Sequence, residues 1–318
     1  ESRGLGDVYK RQIINWAERG ERIMRVIGIG DNVCDKYEHL KTMFPGGQAL
    51  NFAAYAKMLG ADSSYMGVFG NDAAAAHVIR TLDELGVEHG RCRQYEGENG
   101  CARVTLTNGD RVFLGSNKGG VAKEKPLDLT GEDLEYIKGF SIIHTSNNSH
   151  FDSQLAKAAA TGVPLSYDFS GQWTDEERVA GVAPYASYVF LSCGSVTSEE
   201  ARGICRNMHE QGCRMIIATR GSYGAMLFDG KDFYEQPPKL VEAVDTLGAG
   251  DSFATAFLLS FTESLKRAPE RMKKDSGFYR EELKKAMVQG AEFASKTCLV
   301  RGAFGHGVTC LLYTSPSP

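Results

Sequence analysis

The run Gly248-Ala249-Gly250-Asp251 stands directly before an apolar stretch with helical spacing, and these residue types in this order could do chemistry. Glycines let a backbone approach a ligand closely, the free amides at a helix N-terminus hold anionic oxygens, and an adjacent carboxylate can take a proton from a hydroxyl. Those are the demands of phosphoryl transfer: positioning, stabilisation of phosphate charge, and a base for the attacking oxygen. A lone aspartate ahead of a helix is more often there for the helix dipole. The case for Asp251 therefore rests on the whole string Asp245-Thr-Leu-Gly-Ala-Gly-Asp-Ser-Phe253.

A second set of candidates lies near the start. Pro45-Gly46-Gly47-Gln-Ala-Leu-Asn51 precedes a helical pattern; its glycines admit a ligand to the backbone, and Asn51 offers a polyol both donor and acceptor. Asp31 and Asn32 follow an apolar strand, at the end where open parallel sheets bind ligands, and a carboxylate there suits vicinal hydroxyls. Asn117, just after a hairpin, is a further candidate. Thr219-Arg-Gly-Ser-Tyr-Gly224 closes another strand, and Thr219, Gly221 and Gly224 could admit a nucleotide there. Taken alone, each of these could equally be a turn or a cap.

The elements that must position these residues alternate. Short β-rich runs at 25–30, 64–69, 141–145, 165–169, 188–191 and 215–219 are separated by helical stretches. The pattern predicts βαβ units and a mostly parallel sheet covered by helices on both faces. A hairpin is expected at 225–228 and 232–236, with helices at 51–59, 73–85, 249–260 and 281–297. The segment 101–114 breaks the rhythm: two strands around Asn108-Gly109-Asp110 read as a hairpin. With 33–44 it is expected to form a small β lid, inserted near 33–46 and 99–118 into one domain spanning 24–308. Phe253, Phe257 and Phe261 recur every fourth residue and read as a core stripe.

Composition closes off other classes. The 318 residues are 42% hydrophobic and 24% charged, as in ordinary globular proteins, and a net charge of -4 offers no basic face to nucleic acid. Eight cysteines without a C-x-x-C pair read as reduced thiols of a cytoplasmic protein, and no run approaches the ~18 apolar residues of a membrane span. The seven histidines do not cluster at ligand spacing. Asn147-Asn-Ser149 matches a glycosylation acceptor by chance. Residues 1–23, ahead of Met24, and 309–318 look foreign to the rest and are expected to be non-native ends.

The string around Asp251 resembles the C-terminal signature of the ribokinase-like (PfkB-type) carbohydrate kinases, and the Gly46-Gly47 segment resembles their N-terminal one. The resemblance runs from about residue 24 to 308. It implies a three-layer α/β fold and transfer of the ATP γ-phosphate to a sugar hydroxyl. Asp251 would be the base, and the backbone of Gly248, Ala249 and Gly250 the anion hole. Asp31, Gly46, Gly47 and Asn51 would hold the sugar; the loop from Thr219 to Gly224, Ala294 and the stretch 302–305 would lie near ATP. Mg²⁺ is expected with the nucleotide. K⁺ or another monovalent cation is expected at Asp245. The family's Asn-x-x-Glu motif is altered here to Ser192-Cys-Gly-Ser195, which leaves Glu199 as an outer-shell candidate for Mg²⁺.

Gly30-Asp-Asn-Val-Cys-Asp35, Asp110-Arg-Val-Phe113 and Tyr167-Asp-Phe-Ser170 with Trp173 resemble the fructoselysine 6-kinases and other fructosamine kinases within that family. They imply transfer to the 6-hydroxyl of an amino-acid-linked fructose. The residues leave open another acceptor, such as fructose, ribose or a nucleoside, or a catalytically silent sugar-binding protein of the same fold. An exposed lid could pair with its copy in a homodimer.

Overall fold

A computed structural model describes residues 24–107 and 110–310. The strands are β1 (Arg25–Gly30), β2 (Val33–Tyr37), β3 (Thr42–Gly46), β4 (Asp62–Phe69), β5 (Arg93–Gln94), β6 (Cys101–Thr107), β7 (Asp110–Ser116), β8 (Ile143–Ser146), β9 (Leu165–Asp168), β10 (Tyr188–Ser192), β11 (Met215–Thr219), β12 (Ala225–Phe228), β13 (Phe233–Gln236) and β14 (Val308–Thr309). The helices are α1 (Gln48–Met58), α2 (Ala73–Leu85), α3 (Val121–Glu124), α4 (Gly131–Ile137), α5 (Leu155–Ala159), α6 (Glu176–Val182), α7 (Ser198–Glu210), α8 (Ala249–Arg267), α9 (Pro269–Lys274) and α10 (Ser276–Thr297).

Nine strands form the central sheet in the order β13-β12-β11-β10-β9-β8-β1-β4-β5, parallel from β11 to β5 and antiparallel through β12 and β13. Side chains alternate across it because successive Cβ atoms of a strand point to opposite faces. Ile27, Val189, Leu191 and Ile216 pack with helices α3 to α7 on one side. Val26, Tyr188, Phe190 and Ile217 meet α1, α8, α9 and α10 on the other. Both faces being buried, these strands read as continuous apolar runs. Phe253, Phe257 and Phe261 lie in the second of these cores, as the stripe implied.

The expected elements form, with shifted ends. Helix α10 starts at Ser276 because the Asp275 side chain caps it, accepting the Phe278 amide at 2.9 Å. Strand β8 is paired from Ile143 to Ser146, one residue beyond the expected end. The segment 33–44 resolves into two antiparallel strands, β2 and β3, whose period-two signal is broken by the turn at Glu38–Leu40.

The lid is a separate five-stranded sheet ordered β14-β3-β2-β6-β7. The turn residues Asn108 and Gly109 lie outside the described residues, as do 1–23 and 311–318. Thr309 and Cys310, set aside with the C-terminal end, belong to the lid instead: Thr309 pairs with Thr42, and the Cys310 amide donates to the Lys41 carbonyl at 2.9 Å. Two residues of pairing carry no periodicity, so the sequence could not signal them.

Candidate active site

The site forms where β1, β8 and β9 end and α1 and α8 begin, at the carboxyl edge of the parallel strands. Gly248 is the residue before α8, with φ at +75°, and a Cβ there would stand 2.4 Å from the Tyr55 hydroxyl and 2.8 Å from the Ala303 Cβ. Only glycine satisfies both the left-handed backbone and that approach. At Gly250 a Cβ would meet nothing within 4 Å, so the first turn of α8 borders free space there, while the Ala249 amide donates to the Thr246 carbonyl at 3.3 Å.

Asp251 sits in that turn. Its Oδ2 accepts a 2.6 Å hydrogen bond from Asn51 Nδ2. Burial, with the Asp31 charge adding to it, pushes the carboxyl up to about 6, while the Asn51 bond holds it down. A carboxylate so tuned is largely ionised at neutral pH yet basic enough to take a proton from a hydroxyl. The Asn51 Oδ1 is buried without a partner and is free to accept from a ligand.

Asp31 has a structural task as well. Its Oδ2 accepts the Gln48 amide at 2.7 Å, and its Oδ1 accepts Ala49 N at 3.1 Å, Ser146 Oγ at 3.0 Å and Ser149 Oγ at 2.9 Å. It thus caps α1 and ties the helix to the end of β8. Gly46 and Gly47 make this possible: a Cβ on Gly47, where φ is +111°, would stand 2.8 Å from the Asn32 Cα and the Asp31 carbonyl oxygen. Asn32 is fully committed, its amide donating to Tyr65 Oη and the Val68 carbonyl while its Oδ1 accepts from Asn99. Asn117 bridges the base of the lid, its Oδ1 accepting the Cys101 amide at 2.8 Å and its Nδ2 donating to the Asn99 carbonyl at 2.7 Å.

Asp245 fastens three segments together. Its Oδ2 accepts from Tyr37 Oη at 2.5 Å and from the Gly302 amide at 3.0 Å, and its Oδ1 accepts the Leu247 amide at 3.0 Å. Tyr37 and Phe44 of the lid cluster with Val104, and Leu247 packs against them, so the lid rests on the strand-to-helix loop that carries Gly248. Thr219 ends β11 and donates to the Leu191 carbonyl at 3.1 Å. Gly221 and Gly224, with φ of +54° and +87°, close the turn into β12, where the Arg220 amide donates to the Gly224 carbonyl at 2.7 Å. Glu199 is exposed in the first turn of α7. Ala294 is a partly buried residue of α10 packed against the core of its face.

Three residues escaped the sequence. Asp168, at the end of β9, is 6% exposed; burial first, and then repulsion from Asp251 and Asp31, push it up to about 7. Gln48 links two carboxylates, its backbone amide on Asp31 and its side chain hydrogen-bonded to Asp168. Asn147 is 7% exposed and leaves both side-chain polar atoms unpartnered, next to Ser146, the register partner of Asp168. Its buried neighbour Ser149 holds Asp31, so Asn147-Asn-Ser149 has an internal use. Lying at the ends of parallel strands was the available signal for Asp168 and Asn147, and lying at the start of α1 the one for Gln48.

The family described as pfkB family carbohydrate kinase matches residues 20–305. The chain belongs to that family. It is accordingly a phosphotransferase that acts on a sugar hydroxyl. The chain is 40% identical over 285 residues to the fructosamine kinase FrlD of Bacillus subtilis, covering 89% of this chain and 94% of that protein. It is 28% identical over 276 residues to the fructoselysine 6-kinase of Escherichia coli, covering 87% and 98%. Among solved structures, Arabidopsis thaliana ribokinase complexed with ribose and ATP superposes with a TM-score of 0.71 at 20% identity, covering 90% and 96%. The ribokinase-like fold expected from the sequence is the fold observed. Among the described residues no helix is long and apolar enough to cross a membrane.

Proposed function

We propose that this kinase phosphorylates the 6-hydroxyl of a fructosamine of the fructoselysine type, with ATP as donor and Asp251 as general base. The observation that carries the reading is Asp251 itself: a partly buried carboxyl pushed up to about 6, steadied by Asn51, in the first turn of a helix that borders open space at Gly250. The acceptor is supported by the 40% identity to a fructosamine kinase over nearly the whole chain.

In this mechanism the 6-hydroxyl gives its proton to Asp251 as its oxygen bonds to the γ-phosphorus. The bond from that phosphorus to the β-phosphate oxygen breaks, and ADP leaves. The amides of Gly248, Ala249 and Gly250 stabilise the charge on the transferring phosphoryl. The Asn51 Oδ1, the backbone of Gly46 and Gly47, and the Asp31 Oδ2 orient the sugar, with Asn117 holding the base of the lid. The turn from Thr219 to Gly224 borders the nucleotide.

No group of three or more His, Cys, Asp or Glu arranged for a metal occurs among the described residues. Mg²⁺ would be carried on the nucleotide phosphates and would neutralise their charge, and Glu199 would be the residue to reach it through water. Asp245, beside the Gly248 loop, is the carboxylate to which a monovalent cation would be drawn. On the lid's outer strand, Phe113 and Leu114 are 62% and 44% exposed, which supports pairing with a second copy.

Acceptor-dependent ADP release over fructoselysine, other fructosamines, fructose, ribose and nucleosides tests the reading. Fructosamines are expected to give the highest kcat/KM; a nucleoside or ribose in that position would overturn the acceptor assignment.

A further inference from the structure

Asp31, Asp168 and Asp251 come from three separate elements and are close enough to repel one another. Two residues one turn apart on α1 tie them together: Gln48 reaches Asp31 and Asp168, and Asn51 reaches Asp251. Their charges are not equally spoken for. Asp31 accepts two backbone amides and two serine hydroxyls, and Asp251 is the proton acceptor. Asp168 accepts the Ser170 amide at 2.6 Å and the Gln48 amide, and no lysine or arginine is among the groups that act on it.

Buried like charges without a cation are costly and are kept only where something compensates them. Two buried side-chain groups beside the cluster also wait for a partner: the Asn51 Oδ1, and both polar atoms of Asn147, whose backbone amide donates to the Asp168 carbonyl at 2.9 Å. A ligand that brings a positive nitrogen together with hydroxyls satisfies all of these at once. With a neutral sugar, Asp168 is relieved only by taking up a proton.

We infer that Asp168 is a specificity-determining residue that pairs with the ammonium of an aminosugar acceptor, with the Asn147 Oδ1 as a second acceptor for its N–H groups. The inference rests on the fructosamine reading and deepens it: the secondary ammonium next to C1 of the fructosyl unit is the group that sets a fructosamine apart from fructose. A charge-assisted hydrogen bond at a desolvated site discriminates by ~10- to 100-fold between the amine and the hydroxyl analogue.

The test is kcat/KM for fructoselysine and for fructose in the wild type and in Asp168→Asn, together with inhibition of the wild type by 1-amino-1-deoxyfructose. The preference for fructoselysine over fructose is expected to fall ~10- to 100-fold in the variant, chiefly through KM for the amine. In the wild type the aminosugar should inhibit at roughly tenfold lower concentration than fructose, or less still. That second measurement decides the matter if Asp168→Asn does not fold. An unchanged preference ratio, or equal inhibition by the two sugars, overturns the ammonium contact. Wild-type turnover of fructose without turnover of any fructosamine overturns the acceptor assignment, and the contact with it.

Discussion

Replacing Asn51 by alanine should move the acid limb of the pH–rate profile, and the structure says by how much. Asp251 must be ionised to accept a proton, and its carboxyl lies at about 6, so kcat/KM of the wild type rises with pH through that value. One pH unit below the limb, roughly a tenth of the enzyme carries the base in its active form. The Asn51 Nδ2 donor, 2.6 Å from the carboxylate, stabilises the charged form against burial. A hydrogen bond to a charged group is worth about 1.5–3 kcal/mol, and each 1.36 kcal/mol is one unit of pKa. Losing it shifts the limb up by ~1–2 units, with water in the vacated space favouring the smaller figure. At pH 7 that alone lowers kcat/KM by roughly two- to tenfold.

The assay is coupled ADP release from pH 5 to 9, read by the position of the limb and not its height. Asn51 also faces the sugar, and loss of that contact depresses the whole curve. Asp168 titrates in the same cluster, so Asp168→Asn is the companion control. A limb that moves up in Asn51→Ala but survives in Asp168→Asn belongs to Asp251. A limb that stays in place in Asn51→Ala refutes the electrostatic account of the base.

Asp251→Asn should retain nucleotide binding by calorimetry and lose ~10²–10⁴-fold in turnover; near-normal turnover would remove Asp251 from the chemistry. Gly248→Ala forces a Cβ to 2.4 Å from the Tyr55 hydroxyl at a left-handed backbone position, so it should abolish activity and lower Tm, both visible in one purified sample. Tyr37→Phe removes the 2.5 Å bond between lid and Asp245 and should raise KM for the acceptor more than it lowers kcat, as steady-state kinetics will report. His144 is fully buried and its pKa is lowered by burial to about 3. Below 6.5 the unfolded chain therefore binds a proton that the folded chain refuses, and stability falls as pH drops from about 6.5 towards 3. Urea melts at pH 7 and 5 should show a smaller acid loss in His144→Phe than in the wild type.

Much of this protein was legible as a string. Alternating apolar runs reported the parallel sheet, because strands buried on both faces cannot hide their composition. The nine residues ending at Phe253 marked a candidate anion loop and a candidate base, since glycine spacing, a helix start and a carboxylate are all local. What lay beyond a few residues of context did not show. Asp31 and Asn51 stood out as polar residues at element ends, but whether a carboxylate caps a helix or meets a ligand depends on partners far along the chain, here Gln48, Ala49, Ser146 and Ser149.

The sequence by itself thus determined the fold class and the family, and singled out Asp251 as the candidate base, because each is written in periodicity or in one contiguous motif. Only the tertiary structure decided the charge of the pocket. Asp31, Asp168 and Asp251 are separated by 137 and 83 positions in the chain and meet because β1 and β9 end, and α8 begins, at one edge of one sheet. Their burial and mutual repulsion, which set the protonation of Asp251 and Asp168, are properties of that shared edge and of no single segment.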